Sequence, residues 1–336
     1  MKLSQSYRLR LLRKRWQIRT LRKKAELVKV HVGKGASDRD GIFVFSTVRN
    51  ERHRLPYFLK YYRDLGITHF FFIDNDSSDG TDEYLKSQPD VSIWHTTASY
   101  KRASFGIVWT NHLLNEYGSN HWCLCVDCDE FLTYPHVTNR PIRALTDWLD
   151  ARSIRSFPAM LLDMYSKNNV ESLKYHVGQN PFEILDYFDA GNYSQRRDGK
   201  HGNLWIQGGP RQRKFFSRNP SNAPALNKIP LVKWKSSYVY TSSTHSLLPR
   251  SLNLTYDEHG GEKISGCLLH GKFLPDIGEK VSEEKARNQH YASGQEYHAY
   301  GAHESHKINF WTPQSSKYSG WQQLEELGLM SCGGWA

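Results

Sequence analysis

Short apolar runs alternate with stretches of helical spacing over residues 41 to 126. The runs have the length and the β-branched and aromatic content of buried strands. They are Gly41–Val48, Phe70–Ile73, Val91–His95 and Trp122–Val126. The segments between them place apolar residues three and four apart, which predicts helices over Arg52–Leu65, Thr81–Leu85 and Ala103–Tyr117. This alternation predicts an α/β fold, with a mostly parallel, Rossmann-like sheet flanked by helices.

The pattern is less regular in the second half of the chain. Helical spacing predicts helices over Thr138–Arg152 and Glu279–Tyr291. Short apolar runs predict strands at Met160–Met164, Lys228–Val232 and Cys267–His270, and Gly208–Pro210 predicts a turn.

Two of the predicted strands end in acidic residues. Asp127 and Asp129 follow the strand that begins at Trp122, and Glu130 comes next; Asp74 and Asp76 follow an earlier strand. Ligands of open α/β sheets bind at the carboxyl ends of the strands, and paired carboxylates there suit Mg²⁺ or Mn²⁺. Each acidic cluster alone is equally typical of a turn or helix cap. Together at one sheet edge they favour a nucleotide and metal cleft.

The cysteines indicate a reducing compartment. The chain of 336 residues has five, and Cys123, Cys125 and Cys128 crowd one predicted strand. An odd number in this arrangement argues against a disulfide framework, and apolar neighbours favour core packing over a zinc site. No apolar run is long enough to span a membrane, and the N-terminus lacks the apolar segment of a secretory signal. We therefore expect a cytoplasmic protein.

The positive charge is concentrated at the N-terminus. Residues 1–30 hold eleven Lys or Arg and one acid, Glu26, which accounts for +10 of the formal net charge of +11. We expect a basic helical arm and linker over residues 1–40. Three interpretations stay open: contact with an anionic membrane surface, contact with nucleic acid, and a solvated extension. The apolar residues of the arm fall on two roughly opposite helical faces: Leu9, Leu12 and Trp16 on one, and Ile18, Leu21, Ala25 and Val28 on the other.

Three motifs together resemble a known family. They are Val48-Arg49-Asn50-Glu51, Asp74-Asn75-Asp76-Ser77-Ser78-Asp79-Gly80-Thr81 and Asp127-Cys128-Asp129-Glu130-Phe131. In this order they resemble the family 2-like glycosyltransferases of bacteria. Softer matches continue through 208–211, 228–231, 269–273 and 287–291, so the resemblance covers roughly residues 41–300. It implies the GT-A fold, with a donor-binding half over 41–135, an acceptor-side half of the same domain over 136–311, and a tail over 312–336.

The resemblance also implies roles for individual residues. Thr47, Arg49, Asn50 and Glu51 would border the nucleoside of a nucleotide-sugar donor, Asp74 and Asp76 its base or ribose, and Arg102 the donor. Asp127 and Asp129 match the Asp-x-Asp that binds Mn²⁺ or Mg²⁺ and the donor diphosphate. His270 resembles a later metal ligand of such enzymes, and a structural role for this histidine is equally open.

The catalytic base is unassigned. An inverting transferase needs a carboxylate to deprotonate the acceptor hydroxyl. The Glu-Asp pair typical of the family is missing after Asp129, and Asp163, Asp186 and Asp189 are the remaining weak candidates. Each of these is at least as typical of a surface or capping acid.

Two further clusters have interpretations that need no ligand. Arg211, Arg213, Lys214 and Lys228 could contact phosphate, and a solvated basic face is the favoured interpretation. Trp205, Trp234 and Tyr238 could stack on a sugar acceptor, and core packing is favoured.

The function predicted from these patterns is transfer of a sugar from a nucleotide-sugar donor to a polysaccharide or lipid-linked acceptor. The basic arm of residues 1–30 would hold the enzyme at the inner face of the cytoplasmic membrane. A nucleic-acid-binding protein is the first alternative, and the near-neutral charge beyond residue 30 argues against it. Another metal-dependent phosphate-transfer enzyme is the second; no Walker-type loop or obvious nucleophile supports it.

Overall fold

The computed structural model describes residues 4–256, 262–287 and 308–335, and its centre is a sheet of nine strands. The strands of the described chain are β1 (Val28–His31), β2 (Ile42–Val48), β3 (His69–Asp74), β4 (Val91–His95), β5 (Trp122–Cys125), β6 (Glu130–Thr133), β7 (Ser156–Asp163), β8 (Tyr187–Asp189), β9 (Tyr193–Arg197), β10 (Leu204–Gly208), β11 (Asn227–Lys233), β12 (Val239–Ser242), β13 (Ser246–Leu248), β14 (Gly266–His270) and β15 (Ser315–Lys317). The predicted strands all exist, with ends shifted by a few residues.

The helices are α1 (Gln5–Lys23), α2 (Leu55–Leu65), α3 (Thr81–Lys86), α4 (Ile107–Tyr117), α5 (Ile142–Ala151), α6 (Gly209–Phe215), α7 (Ile277–Arg287) and α8 (Trp321–Glu326). The helices predicted to begin at Arg52, Ala103 and Thr138 begin three or four residues later, as α2, α4 and α5, because turns precede them. The turn predicted at Gly208–Pro210 is the junction at which β10 ends and α6 begins. The predicted end of the Glu279–Tyr291 helix beyond Arg287, and most of the tail after it, lie outside the described residues.

The strand order in the sheet is β1-β4-β3-β2-β5-β11-β7-β14-β6. Strands β2 to β5, β7 and β14 run in one direction, whereas β1, β11 and β6 run against their neighbours. The prediction of a mixed α/β fold with a mostly parallel sheet and flanking helices is therefore confirmed. The antiparallel strand β11, inserted between β5 and β7, was not anticipated.

Both faces of the sheet are covered, which explains why its strands are continuous apolar runs. Along β2, Ile42 and Val44 pack in one cluster with α2 and α5, while Phe43 and Phe45 pack in the other with α4. Cys123, Cys125 and Cys128 are buried and free, which confirms core packing for them. Trp234 and Tyr238 are buried as predicted, whereas Trp205 is half-buried.

The N-terminal segment is integrated into the fold. Leu9, Leu12 and Trp16, one of the two predicted apolar faces of α1, pack against Val239 and Leu248. After this helix, β1 pairs antiparallel with β4 at the edge of the sheet. Among the described residues, no helix combines the length and apolar character needed to cross a bilayer.

The interpretation of the basic cluster as a solvated face is wrong for two of its members. Arg211 and Lys228 are buried, with 4% and 6% of their side chains exposed. Each is paired with a buried carboxylate, Asp163 for Arg211 and Glu130 for Lys228. Their acidic partners lie 48 and 98 positions away in the sequence, so the pairing depends on the tertiary fold.

Candidate active site

A cleft lies at the carboxyl edge of the sheet, where six strands of one direction end. Its lining includes the predicted residues Thr47, Arg49, Glu51, Asp127, Asp129 and His270. They reach it from the ends of β2 and β14 and from the connection between β5 and β6. The fold therefore brings most of the predicted donor and metal residues to one place.

The buried ion pair of Glu130 and Lys228 holds the backbone of Asp127. The backbone N–H of Asp127 donates to Oε2 of Glu130 at 3.3 Å, and Nζ of Lys228 lies 2.7 Å from Oε1 of Glu130. The same Lys228 Nζ is 3.8 Å from Oδ2 of Asp127. Although 56% of the Asp127 side chain faces the cleft, the surrounding protein desolvates the carboxyl group, and Glu130 repels its charge. Both effects raise the pKa of Asp127, to about 7.

A chain of alternating charges leads from the cleft into the core. Nε2 of His270 lies 3.4 Å from Oδ2 of Asp129, and its Nδ1 lies 2.7 Å from Oδ1 of Asp163. Nε of Arg211 donates to the other oxygen of Asp163 at 2.7 Å. The parallel pairing of β7 with β14 sets this geometry, because it places His270 opposite Asp163. Asp163 thus fixes the ring orientation and leaves Nε2 directed towards Asp129.

The pKa values along this chain reflect the pairing. Burial alone would raise the pKa of Asp129, but His270, Arg54 and Lys272 outweigh it and hold the pKa well below its usual value. Burial would likewise lower the pKa of His270, but Asp129 and Asp163 raise it above the ordinary value. Asp163 stays ionised because Arg211 and His270 hold its pKa low against the effect of burial.

The donor set fits a hard divalent cation that shares its shell with a substrate. Among the described residues, no three side chains of the metal-binding types converge into a preformed cluster. Mg²⁺ and Mn²⁺ sites that use one or two carboxylates take their other ligands from phosphate oxygens and water. Asp129 and Nε2 of His270, with Asp127 in the same lining, match that partial shell, and His270 would have to release its proton to bind the ion. Its bond to Asp163 resembles the carboxylate–histidine–metal arrangement.

The segment after β2 forms one wall of the cleft and is tied to α7. Nε of Arg49 donates to Oε1 of Glu283 at 2.7 Å, and Nδ2 of Asn50 donates to the same oxygen at 3.2 Å. Lys280 forms an ion pair with Glu51. Asn50 has a φ of 52°, in the left-handed region that asparagine tolerates, and its Oδ1 accepts from the N–H of Ser78 at 2.8 Å.

Thr47 has an unused hydrogen-bonding atom at the cleft. Its Oγ1 is buried and has no hydrogen-bond partner in the described chain. A Cβ at Gly106, before α4, would come within 3.0 Å of this oxygen, so the glycine permits the close approach. An orphaned polar atom of this kind costs free energy unless a ligand or water satisfies it.

The Asp74–Gly80 loop is largely held by its own acids. Asp74 is buried, accepts from Ser77, and lies 3.2 Å from Nδ1 of His95. Asp76 is 58% exposed, and its carboxylate lies 3.6 Å from Arg49. Asn75, between them, lines the cleft, and its Nδ2 is committed to the carbonyl oxygens of Thr96 and Ala98. In this loop it is Asn75 that borders the cleft.

Seven predicted residues do not line the cleft: Asn50, Asp74 and Asp76, described above, and Arg102, Asp163, Asp186 and Asp189. Arg102 is exposed, and its carbonyl oxygen accepts from Arg19 of α1 at 2.7 Å. Asp186 lies 3.3 Å from Lys317, and Asp189 accepts from Nε of Arg213 at 2.8 Å. Asp163 is buried behind His270. Among the weak candidates for the base, Asp163 alone touches a residue of the cleft, and it does so as the partner of His270.

Several cleft residues were missed from the sequence. They are Arg54, Asn75, Lys272, Lys280, Glu283 and Arg287. The spacing of Lys280, Glu283 and Arg287 puts them on one face of α7, a signal that the sequence carries. Arg54 is buried between Glu51 at 2.9 Å and Asp276 at 3.0 Å, and these acids raise its pKa although burial opposes it.

Comparisons with known proteins add little. No family model matches the chain, and no curated protein sequence matches it. Among solved structures, UDP-glucose pyrophosphorylase from Acinetobacter baumanii is similar over 80% of this chain and 84% of that chain, with 7% sequence identity and a TM-score of 0.26. A similarity this weak carries no argument about fold or activity. The functional argument therefore depends on the cleft itself.

Proposed function

We propose that the chain is a metal-dependent glycosyltransferase that takes its sugar from a nucleoside-diphosphate donor. The observation that carries the proposal is the pairing of Asp129 with the Asp163-backed His270, in one cleft with Asp127, at the carboxyl edge of the sheet. The motif resemblance described above supports the same assignment. A polysaccharide or lipid-linked acceptor is part of the proposal.

The cleft has the charge distribution that a nucleoside diphosphate requires. Its acidic side, at Asp127 and Asp129, repels phosphate unless a cation lies between them. Lys272, Lys280 and Arg287 supply positive charge in the same lining. A bound Mn²⁺ or Mg²⁺ would stabilise the negative charge that develops on the departing diphosphate.

Other residues in this proposal bind and orient the donor. Thr47, Arg49 and Glu51 border the nucleoside from the end of β2. Asp163 keeps Nε2 of His270 directed into the cleft, and Lys228 with Glu130 supports the backbone of Asp127. Pre-oriented groups reduce the reorganisation needed when charge develops.

A thermal-shift screen tests the proposal. Nucleotides and nucleotide sugars are added with and without Mn²⁺ to wild type, Asp129→Asn and Asp64→Asn. Asp64 is a matched control, because it is 62% exposed and pairs only with Lys60 on α2 within the described chain. A ligand that binds the native state alone raises the melting temperature with its affinity. We expect a Mn²⁺-dependent shift in wild type and D64N that is absent in D129N.

Product analysis then separates the proposal from other phosphate chemistry. A glycosyltransferase releases a nucleoside diphosphate and transfers the sugar to an acceptor or to water. Release of a nucleoside monophosphate, or formation of a nucleotide sugar from a triphosphate, would contradict glycosyl transfer. The absence of any nucleotide-dependent shift in folded wild type would contradict the donor site itself.

A further inference from the structure

The outward face of α1 carries a stripe of apolar side chains that are exposed, apart from the half-buried Leu11. Its inward face packs against Val239 and Leu248 through Leu9. At about 100° per residue, the opposite face presents side chains spaced alternately four and three residues apart. They are Tyr7, Leu11, Lys14, Ile18 and Leu21. Tyr7, Ile18 and Leu21 are 47%, 50% and 68% exposed.

Exposed apolar side chains are concentrated in this part of the protein. Six of the nine large apolar side chains exposed in the described chain lie between residues 7 and 32. Three of them, Val28, Val30 and Val32, lie in β1 and directly after it, where a bulge between Lys29 and His31 interrupts the pairing of this edge strand. An exposed concentration of this kind marks an interaction surface.

Basic residues flank the stripe. Arg8, Arg15 and Arg22 recur every seven residues along one side of it, and all three are exposed. Arg10 lies on the other side, and Lys14 lies within the stripe. Among the described residues, no carboxylate lies within ion-pair distance of these five cations. The first thirty residues supply +10 of the net charge of +11, so this positive potential is local to the surface.

A groove on the flank of the helix adds a recess with basic side chains in its lining. It has a volume of about 630 Å³ and lies between α1 and the segment after β13. Arg10, Arg13 and Arg250 line it together with Gln5 and Ser6. Three guanidinium groups around one recess suit a phosphate group.

We propose that α1 and β1 form a docking surface for an anionic lipid bilayer. An interfacial helix buries an apolar face at the boundary between headgroups and acyl chains while flanking Lys and Arg attract anionic headgroups. The outward stripe of α1 and its flanking arginines provide both, and the recess accommodates a headgroup phosphate. Nucleic acid binds basic side chains through its phosphates, and exposed Ile18, Leu21 and the valines of β1 would add nothing to that binding. The exposed apolar side chains therefore favour a bilayer over nucleic acid.

The inference extends beyond the proposed function, since it uses no residue of the cleft. A surface that docks at a bilayer would keep a cleft enzyme close to lipid-linked molecules. Loss of membrane binding should leave nucleotide binding intact, and the reverse should hold for D129N. The two proposals can therefore fail separately.

Vesicle co-sedimentation of the full chain tests the inference. Vesicles of phosphatidylcholine alone are compared with vesicles of equal parts phosphatidylcholine and phosphatidylglycerol. The variants are I18S/L21S and R8Q/R15Q/R22Q. Their matched controls at exposed positions outside α1 and β1 are V177S/L327S and K60Q/K200Q/K317Q. All variants should melt within a few degrees of wild type, because every substituted side chain is exposed.

We expect wild type and both controls to bind the anionic vesicles and to be released by salt. Each basic residue near an anionic surface contributes about a fivefold factor, so R8Q/R15Q/R22Q should lower the partition coefficient about a hundredfold. I18S/L21S should lower it by a similar factor of about a hundred, because the exposed parts of both side chains can no longer be buried in the bilayer. Equal binding by I18S/L21S and wild type would overturn the proposal, as would absence of binding to anionic vesicles. Displacement of the protein from vesicles by a short DNA duplex, with I18S/L21S binding that duplex as wild type does, would assign the surface to nucleic acid.

Discussion

Replacing Asp163 with asparagine removes the negative charge that lies between His270 and Arg211. Asp163 is 1% exposed, and both of its oxygens are used, one by Nδ1 of His270 and one by Nε of Arg211, each at 2.7 Å. The isosteric amide would leave Arg211 buried beside a neutral group. Breaking a buried ion pair by removal of one partner costs about 3–5 kcal/mol. We expect D163N to lower the free energy of unfolding by about 3 kcal/mol, since asparagine retains one hydrogen-bond acceptor.

The same substitution should weaken metal binding without touching a proposed ligand. Loss of the carboxylate that orients a ligating histidine costs about 10–100-fold in metal affinity. The assays are urea denaturation for stability and calorimetric titration of Mn²⁺ in the presence of a nucleoside diphosphate. Asp198→Asn is the matched control, because Oδ2 of Asp198 lies 2.9 Å from Nδ1 of His201 in a pair whose carboxylate is 31% exposed.

We expect D198N to cost less than D163N, because the pair is partly exposed to water, and to leave Mn²⁺ affinity unchanged. If D163N were as mild as D198N in both assays, the buried Asp163 would neither neutralise Arg211 nor position His270. The reasoning about the charge chain would then be wrong.

Three further predictions concern the core around the cleft. Lys228→Met should destabilise the protein by about 3–5 kcal/mol, because Glu130 is left buried and unpaired. The double variant K228M/E130Q should cost less than K228M alone. If urea denaturation showed that the two substitutions add their losses of stability, the ion pair between Lys228 and Glu130 would not be energetically coupled. Burial lowers the pKa of His245 to about 3, so below about pH 6.5 the unfolded chain binds a proton that the folded protein does not, and the free energy of unfolding falls with the pH. Between pH 6.5 and 5, wild type should lose about 2 kcal/mol more of this free energy than His245→Gln. Parallel pH profiles of the two proteins would refute this. Trp234→Ala should lower the free energy of unfolding by about 3–5 kcal/mol, because the ring is fully buried and stacked on Tyr240. Trp205→Ala should cost less, because that ring is less buried. Equal losses of stability in the two variants would show that burial does not determine the cost.

Local signals were sufficient to predict the first half of the fold. The strands at Val44, Phe72 and Leu124 are continuous apolar runs, because helices cover both faces of the sheet there. Acids directly after such a run lie at the carboxyl edge of the sheet whatever the strand order is. The position of Asp127 and Asp129 at this edge could therefore be predicted from the sequence.

The supporting residues depend on contacts between distant parts of the chain. Asp163 and His270 are 107 positions apart and meet only through the pairing of β7 with β14. Arg211 and Lys228 look like surface cations until the fold gives each a buried acid. Similarly, nothing near Leu9 in the sequence indicates that it packs on Val239, so the sequence could not tell which apolar face of the arm stays exposed.

The most direct test of the central claim is Mn²⁺ binding followed by EPR, since the sharp signal of the free ion broadens when the protein holds it. Wild type, D129N and D64N are titrated with Mn²⁺ in the presence and absence of a nucleoside diphosphate. We predict a single Mn²⁺ site in wild type and D64N that tightens strongly when the diphosphate is present, and its loss in D129N. Equal Mn²⁺ binding by D129N and wild type, or binding indifferent to the diphosphate, would contradict a metal-dependent donor site in this cleft.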